Sequence, residues 1–135
     1  IIALTQIQSQ QNINLQDIKD TDVISISRQG NRSCIQVFIY RSGQNWGNKS
    51  FFPKHSEEED TEEILERFVI DFYTKYTPPK KVLMNKYLKD HKLISNSLHS
   101  IYGFKTSFII PKQGKKQDIV SYAKKNSDLS LQSHI

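Results

Sequence analysis

The stretch "FIIPKQGKKQDIV", residues 108–120, joins an apolar run to a proline, a glycine and two lysines, and then to a helix-like pattern. Strand, glycine turn and helix is an arrangement that cradles phosphate in many proteins, because free backbone N–H groups at a helix start attract anions. It is not a nucleoside-triphosphate loop. That motif needs Gly, four residues, then Gly-Lys-Ser/Thr; here no glycine holds the first place before Gly114, and Gln117 rather than a hydroxyl follows the lysines. What remains is a turn at Gly114 with Lys112, Lys115 and Lys116 beside a helix N-terminus. Lysines are unfavourable at the positive end of a helix dipole unless an anion sits between them. Two readings therefore stand: a DNA phosphate contact without base specificity, and a tight turn with solvated lysines.

Other residues with chemical potential are sparser. His91 and His99 lie eight apart, too far along one helix face to share an ion, and with His55 and His134 they read as surface histidines. The single cysteine, Cys34, excludes a disulfide within the chain and any cysteine-built zinc site. It sits inside a strand pattern and reads as core. Trp46, with Phe38, Tyr40, Phe51 and Phe52, could offer a stacking platform for bases. Packing between sheet and helices accounts for most of these aromatics more simply.

The chain has 135 residues and a formal net charge of +5, which suits one domain with a single core. It opens on Ile1 rather than Met, so it is expected to be a piece of a longer protein. No apolar run approaches membrane-spanning length, and the expected compartment is the cytoplasm. Between residues 75 and 135 stand twelve lysines against Asp90, Asp118 and Asp128. Such a basic half suits contact with a polyanion. The bias to Lys over Arg, 15 against 4, is also what an AT-rich genome writes onto any surface, so composition leaves both readings open.

The elements that must position these residues follow from periodicity. Residues 1–20 are polar and Gln-rich, and read as a helix end and linker; the domain spans 21–127, and 128–135 reads as an outgoing linker. "DVISISRQ" alternates Ile24 and Ile26 with Ser25 and Ser27, a half-buried strand. The Gly-Asn of "QGNR" signals a hairpin. "SCIQVFIYR" is apolar on both faces, as for a strand covered on both sides, and "NWGNKSFF" forms a third strand before Pro53. Asp60, Glu62 and Glu63 open a helix whose inward positions run from Ile64 to Tyr76. "KKVLMN" is a fourth strand. A second helix carries Leu93, Ile94, Leu98 and Ile101 and stops at Gly103, "KTSFIIP" is a fifth strand, and "QDIVSYAKKN" is a third helix. The order β-β-β-α-β-α-β-α predicts an α/β fold with a mixed sheet, the ribonuclease H-like arrangement.

Three blocks in this order, "DVISISRQGNRSCIQVFIYRSGQNWGNKSFFP", "ILERFVIDFYTKYTPPKKVL" and "PKQGKKQDIVSYAKKN", resemble successive blocks of the UvrC family, the C subunits of the bacterial UvrABC excinuclease. The polar start resembles the tail of the segment through which such proteins contact UvrB. The resemblance covers nearly the whole chain from Asp22 to Asn126. It implies a place in nucleotide excision repair, between the UvrB-contact segment and the family's C-terminal nuclease, with UvrB, double-stranded DNA and the other UvrC domains as partners. Neither the GIY-YIG signature nor the acidic strand motif of the family's two nucleases is present. A ribonuclease H-type site holds two metal ions on three or four carboxylates, mid-way along the first strand, on the first helix and at the end of the fourth strand. Here those places offer Ser25 and Ile26, with the strand's one acid, Asp22, at its edge, the helix acids Glu62, Glu63 and Glu66, and Asn85. The expectation is a catalytically degenerate domain, inactive alone, with no metal and no cofactor. An active nuclease and a pure protein-interaction module are the alternatives. Arg41 and Gln36 fall within the resembling blocks. Arg41 and Trp46 join Lys112, Gly114, Lys115 and Lys116 as candidate DNA contacts.

Overall fold

The computed structural model describes residues 19–134. The helix end and linker expected over 1–20 lie outside the described residues except for Lys19 and Asp20. The elements are β1 (Thr21–Gln29), β2 (Arg32–Arg41), β3 (Gln44–Phe51), α1 (Thr61–Lys75), β4 (Lys81–Met84), α2 (His91–Tyr102), β5 (Ser107–Ile109) and α3 (Gly114–Ser133). They follow the order expected from the sequence. The sheet runs β3-β2-β1-β4-β5. The first three strands form an antiparallel meander, and β4 and β5 add parallel to β1.

Two apolar layers hold helices on the sheet. Ile24, Ile26, Ile35, Val37, Val82 and Met84 face α1 and α2, meeting Leu65, Val69, Phe72, Ile94 and Leu98. Val23, Phe38, Tyr40 and Leu83 face α3, meeting Ile119, Val120 and Ala123. In α2 the inward stripe is Ile94, Ser95 and Leu98, whereas Leu93 and Ile101, expected inward, are exposed. The reason is a buried hydrogen bond of 2.6 Å from Ser95 Oγ to Thr106 O, which turns the helix towards the chain entering β5.

Strand β1 is buried on both faces rather than half-buried. α3 is the cause. It continues to Ser133, with Ser127 and Leu131 buried, through the residues from 128 onward that the sequence suggested as a linker. Ser127 Oγ lies 3.3 Å from Ser25 Oγ and 2.5 Å from Ser27 Oγ, and Ser27 donates to Asp128 Oδ1. Each hydroxyl has one proton to give. Run in the direction Ser25, Ser127, Ser27, Asp128, every proton finds an acceptor, so the polar face of β1 is buried without an orphan group. At the far end Arg32 donates from β2 to Leu131 O at 2.9 Å and to His134 O. It satisfies helix-terminal carbonyls and complements the negative end of the dipole.

Asp22 anchors the opposite face. Its carboxylate, 1% exposed, accepts from Tyr73 Oη of α1 at 2.6 Å and from Arg41 Nη1 of β2 at 2.9 Å. Burial raises the Asp22 carboxyl above its ordinary value and outweighs the opposite pulls of Tyr73 and Arg41. A carboxyl raised on folding binds more protons folded than unfolded between the two values, so its contribution to stability falls as pH climbs through that interval. Asp22→Asn removes this contribution. Melting temperatures measured from about pH 4 to about pH 7 should show the variant gaining on the parent chain as pH rises; a constant difference would contradict the assignment.

Candidate nucleic-acid interface

The lysine-bearing turn is placed by the seat of α3. The helix ends beside the last residues of β1, where Ser127 meets Ser27, and so begins at the other end of the sheet. There Lys116, in its first turn, comes within hydrogen-bonding reach of Lys81, the first residue of β4. Both ammonium groups are donors. The approach of Lys116 pushes the Lys81 ammonium below its ordinary value, with burial and the more distant charge of Lys19 adding to the effect. Lys112 and Lys115 are exposed alongside.

The geometry of this helix start favours an anion. Gly114 has φ +82°, and a side chain there would be strained although the space beside it is open. The N-cap residue Gln113 gives no side-chain hydrogen bond to the helix, and the first turn contains no acid. α1 shows the contrast: its first turn carries Glu62 and Glu63. One helix neutralises its positive end with its own carboxylates; the other adds lysines to it.

Beside Lys81 lies an open cavity of about 720 Å³ lined by Lys19, Asp20, Ser42, Pro78, Pro79, Lys80, Lys81 and Phe104. Sequence reasoning gathered Lys112, Lys115 and Lys116 but missed Lys19, Lys80 and Lys81. No spacing rule links residues so far apart; only the pairing of Thr21 with Lys81 across β1 and β4 brings them to one end.

The remaining candidates divide. Arg41 is partly exposed and donates from one nitrogen, Nη1, to Asp22 Oδ1 at 2.9 Å and to the Tyr40 carbonyl at 2.8 Å. Gln36 is internal, donating to Asn48 Oδ1 and accepting from Ser50 Oγ. Trp46 stays outside, 72% exposed. It is the extra residue of a bulge: Tyr40 pairs with Asn45 and Ile39 with Gly47, leaving Trp46 without a partner across the ladder. The other aromatics form no platform with it. Phe38 and Tyr40 are buried under α3, Phe51 packs on Phe68 and Phe72, and Phe52 stacks on His134.

The residues that the sequence reading set at ribonuclease H-type carboxylate places make contacts within the fold. Ser25 is engaged with Ser127. Asn85 follows β4 and continues its pairing with β1 through the side chain: Oδ1 accepts from Ile26 N at 2.9 Å, and Nδ2 donates to Ile26 O at 3.0 Å. Glu66 accepts from Asp90 N, and Glu63 pairs with Lys89. Asp128 is raised by burial, but Lys124 and Ser27 outweigh that and hold it below the usual carboxylate range. Among the described residues, no three of His, Cys, Asp and Glu gather as a metal-binding group.

Comparison with known proteins agrees with this architecture. Residues 20–134 match the family described as UvrC Ribonuclease H-like domain. The chain belongs to that family. It is 38% identical to UvrABC system protein C of Bradyrhizobium diazoefficiens over 131 residues, covering 97% of this chain and 19% of that protein. The corresponding protein of Nitrobacter hamburgensis is 36% identical at the same coverage. That of Jannaschia is 37% identical over 97% of this chain and 21% of its own length. The chain thus spans about one fifth of the length of the relatives it matches. Among solved structures, a Bacteroides thetaiotaomicron protein with an actin-like ATPase fold aligns over 78% of this chain and 39% of its own, with TM-score 0.40 and 12% identity. Among the described residues, no helix is long and apolar enough to cross a membrane.

Asn85 is the residue on which this end of the site turns. Asn85→Ala leaves the N–H and C=O of Ile26 without partners in a buried strand, and should cost about 2–4 kcal/mol of folding stability. Urea denaturation measures it, and a loss below about 0.5 kcal/mol would mean that the amide does not hold the two strands.

Proposed function

We propose that this chain is the non-catalytic central domain of a UvrC-type subunit of a nucleotide excision repair endonuclease. Its role is architectural. It spaces the nuclease modules of the longer protein and the segment that contacts UvrB, so that incisions fall on both sides of a lesion. It adds sequence-independent affinity for the DNA backbone through the start of α3.

The observation that carries the reading is the pair Ser25 and Asn85. By strand order they stand where ribonuclease H-type chemistry would want carboxylates for two metal ions, and their polar atoms bond within the fold. An amide and a hydroxyl are poor substitutes for paired carboxylates around hard cations. The lysines support the second half of the reading. A cationic helix start binds phosphate oxygens without reading bases, and such binding releases counterions from the duplex.

Both halves are tested on the 135-residue chain. With magnesium or manganese, a supercoiled plasmid and a nicked duplex should remain uncut; metal-dependent cleavage abolished by Asp22→Asn or Glu66→Gln would replace this reading with an active nuclease. Fluorescence anisotropy of a labelled duplex should show affinity falling steeply with salt. A Lys112→Gln, Lys115→Gln double variant should flatten the slope of log affinity against log salt by about 0.9 for each phosphate that is no longer neutralised. No binding at low salt would leave a spacer or protein-interaction module instead.

A further inference from the structure

The cavity at the lysine end has a composition that a duplex backbone contact does not need. Among the described residues that line it, three are lysines, Lys19, Lys80 and Lys81, against one carboxylate, Asp20. Asp20 is partly committed, since its Oδ1 accepts from Ser42 N at 2.9 Å. Lys116 stands behind Lys81 and adds a further positive charge. The apolar part of the lining is Pro78, Pro79 and the half-buried ring of Phe104. The ligand that fits must carry concentrated negative charge at one end and a flat, weakly polar body at the other. At about 720 Å³ the cavity is within the size range of sites for small organic ligands.

We propose that this cavity binds a terminal nucleotide: a phosphate monoester held by Lys19, Lys80 and Lys81, with its base against Phe104. The inference rests on the nucleic-acid reading above and narrows it to a strand end. Three physical points favour an end over an internal phosphate. An internal phosphodiester in a duplex has one negative charge and lies on a convex rod, which meets the exposed lysines of α3 more readily than a recess. A phosphate monoester carries about −1.5 to −2 at neutral pH, and so suits a cluster in which two ammonium groups already crowd one another. A terminal base is free to leave its stack and lie on an aromatic ring, the contact by which proteins hold single-stranded ends.

The position in the fold is unusual for an open α/β sheet, where ligands sit outside the carboxyl ends of the parallel strands. This cavity lies at the amino ends, between the segment before β1, the β2–β3 turn, and the loops entering β4 and β5. The carboxyl end of β4 is occupied by the Asn85 side chain bonded to Ile26.

The test uses the 135-residue chain and labelled hexanucleotides at fixed ionic strength: one with a 5′-phosphate, one with a 3′-phosphate and one with neither. Deoxyadenosine monophosphate and inorganic phosphate serve as competitors. A phosphorylated strand should bind about tenfold more tightly than the unphosphorylated one, as expected for a charge-assisted contact. Lys81→Gln should abolish that preference, and Phe104→Ala should weaken every strand while keeping it. Competition by the mononucleotide but not by phosphate assigns the whole nucleotide. Competition by both at equal concentration, with Phe104→Ala silent, would reduce the site to a simple anion site and overturn the base contact. Equal binding of all three strands, with circular dichroism showing the variants folded, overturns the proposal. If duplex binding still depends on Lys112 and Lys115 in that case, the backbone contact survives and only the strand-end site falls.

Discussion

The placement of α3 depends on a contact between hydroxyl groups. Ser25 and Ser27 of β1 meet Ser127, and Ser27 passes on to Asp128, which Lys124 also holds at 2.6 Å. Small hydroxyl side chains let helix and strand approach closely, yet each needs a partner once water is gone. This fixes both the depth and the register of the helix. Sliding it by one residue would also turn it by about 100° and carry Ser127 away from the serines. The apolar contacts of Ile119, Val120 and Ala123 with Val23, Phe38 and Leu83 supply the burial and fix the same register.

Register at one end sets position at the other. Because α3 rises 1.5 Å per residue, locking Ser127 beside Ser27 also places Lys116, three turns earlier, beside Lys81. The crowding of lysines is thus a consequence of packing elsewhere. The opposite face is fixed by different chemistry. Asp22 ties β1 to β2 through Arg41 and to α1 through Tyr73, so one buried carboxylate joins three elements. Tyr102 of α2 donates to the Tyr73 carbonyl and carries the same frame to the next helix. Arg28 plays the corresponding part at the hairpin end, donating to the carbonyls of Gly30, Ser56, Glu57 and Glu59 and so holding the acidic loop ahead of α1.

Much of this was legible in the sequence where one property repeats at one period. The alternation of Ile24 and Ile26, the two apolar faces of β2 and the stripe from Ile64 to Tyr73 each point to one element. The second half of α3 was not legible. Its buried residues are Ser127 and Leu131, so a polar residue occupies a core position and hides the pattern. The signal was present in the spacing of Ile119, Ala123, Ser127 and Leu131, each four apart, once serine is allowed inside. The same substitution of hydroxyl for hydrocarbon made β1 look half-exposed. Nothing local in the sequence announces that Asp22 is the partner of Arg41.

The two ends of the parallel strands are opposite in character, and the opposition is physical. At the carboxyl end the Asn85 amide donates to and accepts from one backbone unit of β1. A carboxylate in its place could accept from Ile26 N but would face Ile26 O with no proton to give. The neutral amide that stabilises this junction is therefore incompatible with the charge that a metal site there would need. At the amino end like charges converge at a cost to the isolated fold, since Lys81 is driven below its ordinary value by its neighbours. Such unrelieved repulsion has no structural benefit that the described contacts reveal, whereas every polar group at the Asn85 junction has one. An anion between Lys81 and Lys116 would convert that repulsion into attraction, so binding there would strengthen the junction of α3 with β4.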